Sequence, residues 1–427
     1  MTTTSVEASP SLWRHADFLK LWAAQSVSSV GARITREGLP FAAVMSLGAT
    51  PAQVGLLAAL ARGPAILVGL AGGGFVDRGR RRPILIAADV GRALVLATIP
   101  LAAWSHLLTM NQIYVVAALV GALSVLFDIA DHAYLPSLIA RDQLVDGNSK
   151  LATTDAIAEI GGPALYGLLF QFLTAPIAIA VNAGTYLFSA GALSAIGARE
   201  PPPAPHENGR ALHVIADFRI GLGAALAEPS VRALLIVATT AALFGAFFSA
   251  LYIVFAVRVL HLTATMLGVT VATGGVAALF GATLAGRLIR RFGIGPTYVF
   301  TGLIAGAGSL FVPLAHGAPV VSMLMLIASQ LIGDSVGTVT EICGRSLRQS
   351  LVEPRMMGRV GGVFALAPGV TGIVGAIVGG WLGGVIGPQH ALLIGSGGIT
   401  LAPAIGLLSP LVRRREKVLA QDDAEPV

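Results

Sequence analysis

The sequence predicts an all-α integral membrane protein of about twelve transmembrane helices, arranged as two pseudo-symmetric six-helix bundles. Three observations carry this. The 427-residue chain is 55% hydrophobic and only 12% charged, with a mean hydropathy of +0.79, whereas roughly a quarter of the residues in an ordinary soluble domain are charged. Twelve apolar segments follow one another between Phe18 and Val412, each close to the roughly 20 residues that cross a bilayer. Finally, the two halves of the chain resemble each other at an offset of 213 residues.

Taken in order, the predicted spans of the first half are 18–47, 53–75, 83–105, 112–133, 151–173 and 176–197. The residues before the first carry Glu7 and Asp17, and the apolar segment after them is too long for a signal-peptide core, so the first helix is expected to be its own insertion signal. "AREPPPAPHENGR", Ala198 to Arg210, is too rich in proline and charge to span. The following "ALHVIADFRIGLGAAL" reads as a helix lying on the membrane surface. The second half is predicted to span at 231–257, 266–286, 297–315, 319–343, 359–382 and 389–411. This divides the chain into a bundle at 1–197, a linker with a surface helix at 198–230, and a bundle with a tail at 231–427.

The repeat is visible in three places. "TPAQVGLL" from Thr50 lies over "TATMLGVT" from Thr263, "SLIARDQLVDGN" from Ser137 over "SLVEPRMMGRVGG" from Ser350, and "GPALYG" from Gly162 over "GAIVGG" from Gly375. Repeated six-helix halves are a transporter architecture, with the substrate site between them near the midplane. "GPA" at 63–65, "GGPA" at 161–164 and "APG" at 367–369 interrupt helices where alternating access needs them to bend.

Charge placement sets the orientation. Of the 28 Lys and Arg residues, 22 fall in the segments on one side of the membrane, and Arg258 is the one in a loop on the other. By the positive-inside rule, both termini are cytoplasmic. The net charge of +6 does not indicate nucleic acid, because three of the basic residues are lysines and no basic domain or RNA-binding motif is present. Cys343, the single cysteine, excludes disulfides within the chain and clustered-thiolate metal sites. There is no P-loop and no H-E-x-x-H zinc motif. The sequence therefore predicts neither an enzyme nor a cofactor, and transport must draw on a gradient.

Between the second and third spans lies "GGGFVDRGRRRP", containing Gly73, Asp77, Arg78, Arg81 and Arg82. A glycine lets a helix end approach a neighbour, and an aspartate can face the positive N-terminus of another helix. This loop resembles the signature loop of the major facilitator superfamily. "IAADVGRAL" with Asp89 and Arg92, "FDIADHAYLPSLI", "GPALYG", "IADFRIGLGAALAEPSVRALL" and "SLRQSLVEPRMMGRV" with Arg348, Gly358 and Arg359 resemble its drug, macrolide and siderophore exporter branch. The resemblance covers nearly the whole chain. It implies the major facilitator fold, export, and a role for the aspartate in latching the outward-facing state. The chain departs from the branch at Asp131 and His132, where arginine is frequent, and at Ala32, where aspartate is common.

Charges inside the membrane are costly, so they are candidates for function. Arg33, Arg36 and Glu37 lie past the middle of the first span. Arg33 and Glu37 are four apart and share a face, which predicts that they pair. Glu37 is the leading candidate for a proton-titrating group. Arg62 and Asp334 read as isolated membrane charges, the latter a second proton or cation site. Asp89 and Arg92 read as an intrahelical pair, and Asp155 with Glu159 as gating acids near the inner surface. Together with Asp77, Arg78, Arg81, Arg82, Gly73, Arg348, Gly358 and Arg359 they make up the expected cytoplasmic gate. Asp128, Asp131, His132 and Glu341 are expected in inner water, while Gln25, Tyr166, Asn182, Tyr186 and Gln330 are candidate cavity residues.

The sequence thus predicts a monomeric secondary transporter of the inner or plasma membrane, exporting small hydrophobic or amphipathic molecules in exchange for protons. Proton-coupled uptake of a metabolite, and an uncoupled transporter-like receptor or lipid-moving protein, stay open at this point. Its partners would be the substrate, protons and the bilayer.

Overall fold

The computed structural model describes residues 11–198, 200 and 214–413, with the side chains of 70–75, 77, 78, 214 and 215 outside that set. The chain is helical throughout the described residues. Helices α1 (Ala16–Leu47), α2 (Pro51–Arg78), α3 (Arg81–Trp104), α4 (Met110–Leu138), α5 (Leu144–Phe172) and α6 (Ala175–Ser194) pack into one bundle. A short helix, α7 (Val214–Ala227), follows. Helices α8 (Pro229–Arg258), α9 (Ala264–Phe292), α10 (Ile294–Ser309), α11 (Pro319–Leu351), α12 (Met357–Val385) and α13 (Pro388–Leu407) form the second bundle.

Each predicted span coincides with one helix, and α7 stands where the surface helix was expected. The described residues contain nine helices long and apolar enough to cross a membrane. The other three have specific reasons for falling short. Helix α10 is 16 residues long. It stops at Ser309, not at 315 as predicted, and Pro313 lacks the N–H that a continued helix would need there. Helices α1 and α5 carry Arg33, Arg36 and Glu37, and Asp155 and Glu159, in their middle turns. The two helices that are too charged to score as spans are those that build the site below.

The repeat is expressed in local chemistry. Thr50 caps α2 through a reciprocal box, its hydroxyl accepting from Gln53 N–H at 3.3 Å while the Gln53 side chain accepts from Thr50 N–H at 2.8 Å. At the equivalent position, Thr263 caps α9 by accepting from Met266 N–H at 3.3 Å.

One end of the molecule, the basic face, carries the 79–80 and 139–143 connections, the start of α1 and the end of α13. The far face carries the turns at 48–50, 105–109, 173–174, 259–263, 310–318 and 386–387. The bundles meet through α2 against α12 and α5 against α9. Both contacts are made by glycine near the far face. A Cβ on Gly55 would lie 2.9 Å from Gly380 Cα, and one on Gly167 would lie 2.9 Å from Gly268 Cα. Gly55 is the repeat-mate of Gly268, and Gly167 of Gly380, so the two contacts are copies related by the internal pseudo-symmetry. Bare backbone lets the helices touch, and the far face is shut between the bundles. Pro64, Pro163 and Pro368 lie inside α2, α5 and α12, three of these four interface helices.

A side chain at Gly167 must push α9 away, since its Cβ would stand 2.8 Å from the Ala264 carbonyl oxygen. Gly167→Leu should therefore open the far face. In a Cys343→Ser background, a cysteine placed at position 252 should gain at least severalfold reactivity toward an impermeant maleimide from the far side. Unchanged labelling would mean that the glycine contact does not hold this face closed.

Candidate functional site

The centre of the site is an arginine–carboxylate cluster between α1 and α5. Arg33 and Glu159 form a close ion pair, and Arg36 lies 3.8 Å from the same carboxylate. Gly162, one turn after Glu159, makes this possible. A Cβ there would stand 2.6 Å from Arg33 Cβ, so the arginine stem lies directly on the α5 backbone. Glu159 is half exposed and lies within electrostatic reach of Asp334 on α11, which places it between the bundles. Counting 1.5 Å per residue from the far ends of their helices, Arg33, Glu159 and Asp334 all lie about 20–22 Å deep, and Glu37 and Arg62 about 15–17 Å. All five lie inside a hydrocarbon core about 30 Å thick, Glu37 and Arg62 near its middle and the other three toward the basic face.

This corrects the expected pairing within α1. Glu37 makes no ion pair among the described residues, although Arg33, Arg36 and Glu159 are within electrostatic reach of it. Glu159 is part of this central cluster and not of a rim. Asp334 makes no ion pair among the described residues, and its carboxylate and Gln330 Nε2 pack against Gly274 of α9, the latter 2.9 Å from where a Cβ would be. Asp155, one turn from Glu159, accepts a hydrogen bond from Ser29 Oγ at 2.6 Å.

Farther toward the far face, Tyr166 on α5 and Tyr252 on α8 have buried hydroxyls with no hydrogen-bond partner among the described residues, and both feel the charge of Glu37. Tyr166 packs edge-on against Phe41, with centroids 5.8 Å apart. Sequence reasoning passed over Tyr252, since nothing in "LYIVF" separates it from a lipid-facing aromatic.

Most of the expected gate residues have other partners. Asp89 and Arg92 form the predicted intrahelical pair, but both are buried inside the first bundle. The Arg92 guanidinium lies between the rings of Phe127 and Tyr186, 4.4 and 4.3 Å from their centroids. Tyr186 is therefore a core residue, as is Asn182, which donates to Thr35. Arg82 donates to the carbonyls of Leu193 and Ser194 at the end of α6. Glu200 accepts from Arg81 N–H at 2.7 Å and Arg82 N–H at 3.1 Å and pairs with the Arg81 side chain at 3.5 Å. These two arginines thus tie α3 to α6 within one bundle. Arg359 bonds Asp217 of α7 at 2.7 Å, docking the surface helix on α12. Arg348 lies 5.0 Å over the Phe364 ring, and Gly358 faces open space. Gln25 donates to Asp131. The side chains of Gly73, Asp77 and Arg78 lie outside the described residues.

Arg62 on α2 overlooks a chamber of about 590 Å³ lined by α2, α4, α8 and α12. No acid pairs with it among the described residues. The charge within its electrostatic reach is another cation, Arg36.

The profile of the Major Facilitator Superfamily matches residues 21–376. The enterobactin exporter EntS of Citrobacter koseri is 26% identical over 413 residues, 93% of this chain and 92% of that one. The uncharacterized MFS-type transporter YfiS of Bacillus subtilis is 26% identical over 387 residues, covering 88% and 89%. Among solved structures, a bacterial homologue of the iron transporter ferroportin in its inward-facing state superposes with a TM-score of 0.71 at 17% identity, over 93% of this chain and 99% of that one. The outward-facing structure of a bacterial ferroportin homologue gives 0.57 at 16% identity, over 92% and 98%.

The Arg33–Glu159 contact is testable by a double-mutant cycle. Arg33→Gln and Glu159→Gln should each lower the unfolding midpoint in detergent. The double variant should lose less than their sum, with a coupling of about 1 kcal/mol, since Glu159 is half exposed and its pair is partly screened. Strict additivity would mean that the two side chains do not interact in the membrane protein.

Proposed function

We propose that this chain, which belongs to the major facilitator superfamily, exports small hydrophobic or amphipathic molecules across the inner membrane in exchange for protons. The observation that carries the reading is the placement of Arg33, Arg36, Glu37, Glu159 and Asp334 between about 15 and 22 Å deep, between bundles that are shut at the far face. Export is supported by the likeness to EntS, named an exporter. The concentration of Lys and Arg on the basic face supports a cytoplasmic placement of that face and of both termini. The far-face closure then corresponds to an inward-facing state, and the higher likeness to the inward-facing ferroportin homologue is consistent with it.

In this reading, Arg33 has two carboxylates within reach: Glu159, which it holds, and Glu37, one turn along its own helix. Deprotonating Glu37 draws the arginines toward it and frees α1 from α5, and protonation restores their tie to Glu159. A proton thereby changes which helices are bound together, which is what coupling requires. Residues 1–197 and 231–427 rock as two bodies joined by 198–230. Asp77 latches the opposite state, as the signature loop implies, while Arg81 and Arg82 keep their places against α6.

The test is flux in proteoliposomes. Glu37→Gln and Glu159→Gln should each reduce flux driven by a pH gradient at least tenfold while counterflow at equal pH survives, and Asp128→Asn should have a smaller effect. Asp77→Asn should slow transport more than it weakens substrate binding. If both glutamine variants leave gradient-driven flux and counterflow unchanged, neither acid couples protons.

A further inference from the structure

The two contacts between the bundles are copies in backbone but not in content. At the repeat offset, Arg33 corresponds to Ala246 and Glu159 to Gly372. The correspondence holds in three dimensions. Gly162 packs on Arg33, and its mate Gly375 packs on Ala246, where a Cβ would stand 3.1 Å from Ala246 Cβ. The α5/α9 side is therefore occupied by an ion pair. The α2/α12 side, with alanine and glycine in the same places, is hollow, and Ala246 and Gly372 line the chamber found there.

That hollow carries a cation with no mate. Arg62 corresponds to Gly275 in the second half, so the charge belongs to this side alone. Its guanidinium lies beside Gly372, 3.7 Å from where a Cβ would be. The rest of the lining is apolar and mostly small, including Ala65, Gly245 and Pro368 beside Ile66 and Val125, with the Ser249 hydroxyl as its other polar side-chain group. A chamber of about 590 Å³ is in the size range of small-molecule sites. Arg62 is exposed to this chamber, and a cation in the membrane interior is met either by water or by a counter-charge; among the described residues no acid pairs with it.

We infer that Arg62 and this chamber form a binding site for an organic anion, with the guanidinium holding a carboxylate, sulfonate or phosphate-ester group and the small-residue walls holding an apolar body. The planar fork of arginine suits such oxyanions bidentately. The inference deepens the export reading by naming the charge of its substrate. It also separates two tasks: protons act on the α5/α9 side and substrate on the α2/α12 side. Arg36 joins them, since it lies within electrostatic reach of Arg62 while making only the longer, 3.8 Å contact with Glu159. An anion at Arg62 draws Arg36 toward itself and loosens that contact, so substrate binding is felt at the proton site.

The test uses three probes of one shape, naphthalenesulfonate, naphthalenesulfonamide and naphthylmethylammonium, bound by the full chain in detergent and measured by equilibrium dialysis. The sulfonate should bind at least tenfold more tightly than the other two. Arg62→Gln should bring the three within about twofold of one another and leave sulfonamide binding in place, which also reports a folded protein. Arg62→Lys should keep a reduced preference, and it takes the place of Arg62→Gln if that variant does not fold. Gly245, where an added Cβ meets open space, allows the chamber to be filled without touching Arg62. Gly245→Leu should weaken all three probes and preserve their order.

Equal binding of the three probes to the unmodified protein, or a sulfonate preference that persists in Arg62→Gln, would overturn the site. Competition by added phosphatidylglycerol would assign the chamber to a resident lipid and overturn its role in substrate binding. An Arg62-dependent preference without any proton-driven flux would retire proton coupling and leave the anion site standing. Proton-driven flux of all three probes at equal rates, with no binding preference, would do the reverse.

Discussion

Backbone contact between the bundles is the constraint on which the other features depend. Gly55 meets Gly380 and Gly167 meets Gly268, each so closely that a single methyl group would separate them. Van der Waals packing of small residues is the main attraction available between helices in lipid, because the surrounding chains are as apolar as the helices. Glycine at these four positions therefore decides which end of the molecule is shut. It also decides how near the charges of α5 come to α9 and α11, since α5 stays against α9 down to Ile160, whose Cα would lie 3.2 Å from a Cβ on Gly275.

Charge then decides what the interior can do. Each ionisable group in the hydrocarbon core is costly unless paired or watered. The chain meets this cost in two distinct ways. Asp89 and Arg92 are locked inside the first bundle, with the guanidinium between two aromatic rings, a rigid arrangement suited to holding α3, α4 and α6 together. Arg33, Arg36 and Glu159 form a looser set, with Arg36 and Glu159 about half exposed, shared between one acid and two bases, and with Glu37 close enough to compete. The first arrangement has one state. In the proposed mechanism the second has two, of similar composition, which is the property that a coupling site requires.

Much of this was legible in the sequence, and the exceptions have common causes. Hydropathy located every span because bilayer thickness sets one length for all of them. The repeat placed Gly55 over Gly268 and Gly167 over Gly380 before any coordinates, although not that each would touch the other's mate. Partners across helices were not legible. The i,i+4 rule selects Glu37 for Arg33 because it sees a single helix, whereas the actual partner is 126 residues away and depends on Gly162 bringing α5 against α1. For the same reason Glu200 and the end of α6 could not be read as the partners of Arg81 and Arg82. The hollow beside Arg62 was invisible because alanine and glycine signal nothing until the position that they leave empty is compared with its occupied copy.

The central claim is that one shut face and one open face exchange about the central charges. Paired spin-label distances across the two faces test it most directly. In a Cys343→Ser background, nitroxides at Val145 and Gln349 span the basic face, and a pair at Leu107 and Val320 spans the far face, all at exposed positions. The account predicts two populations for each pair. A change in pH should shift them in opposite senses, the basic-face distance shortening as the far-face distance lengthens, and Glu159→Gln should hold both pairs in one population. Distances that stay fixed across pH, or that lengthen and shorten together at both faces, would contradict it.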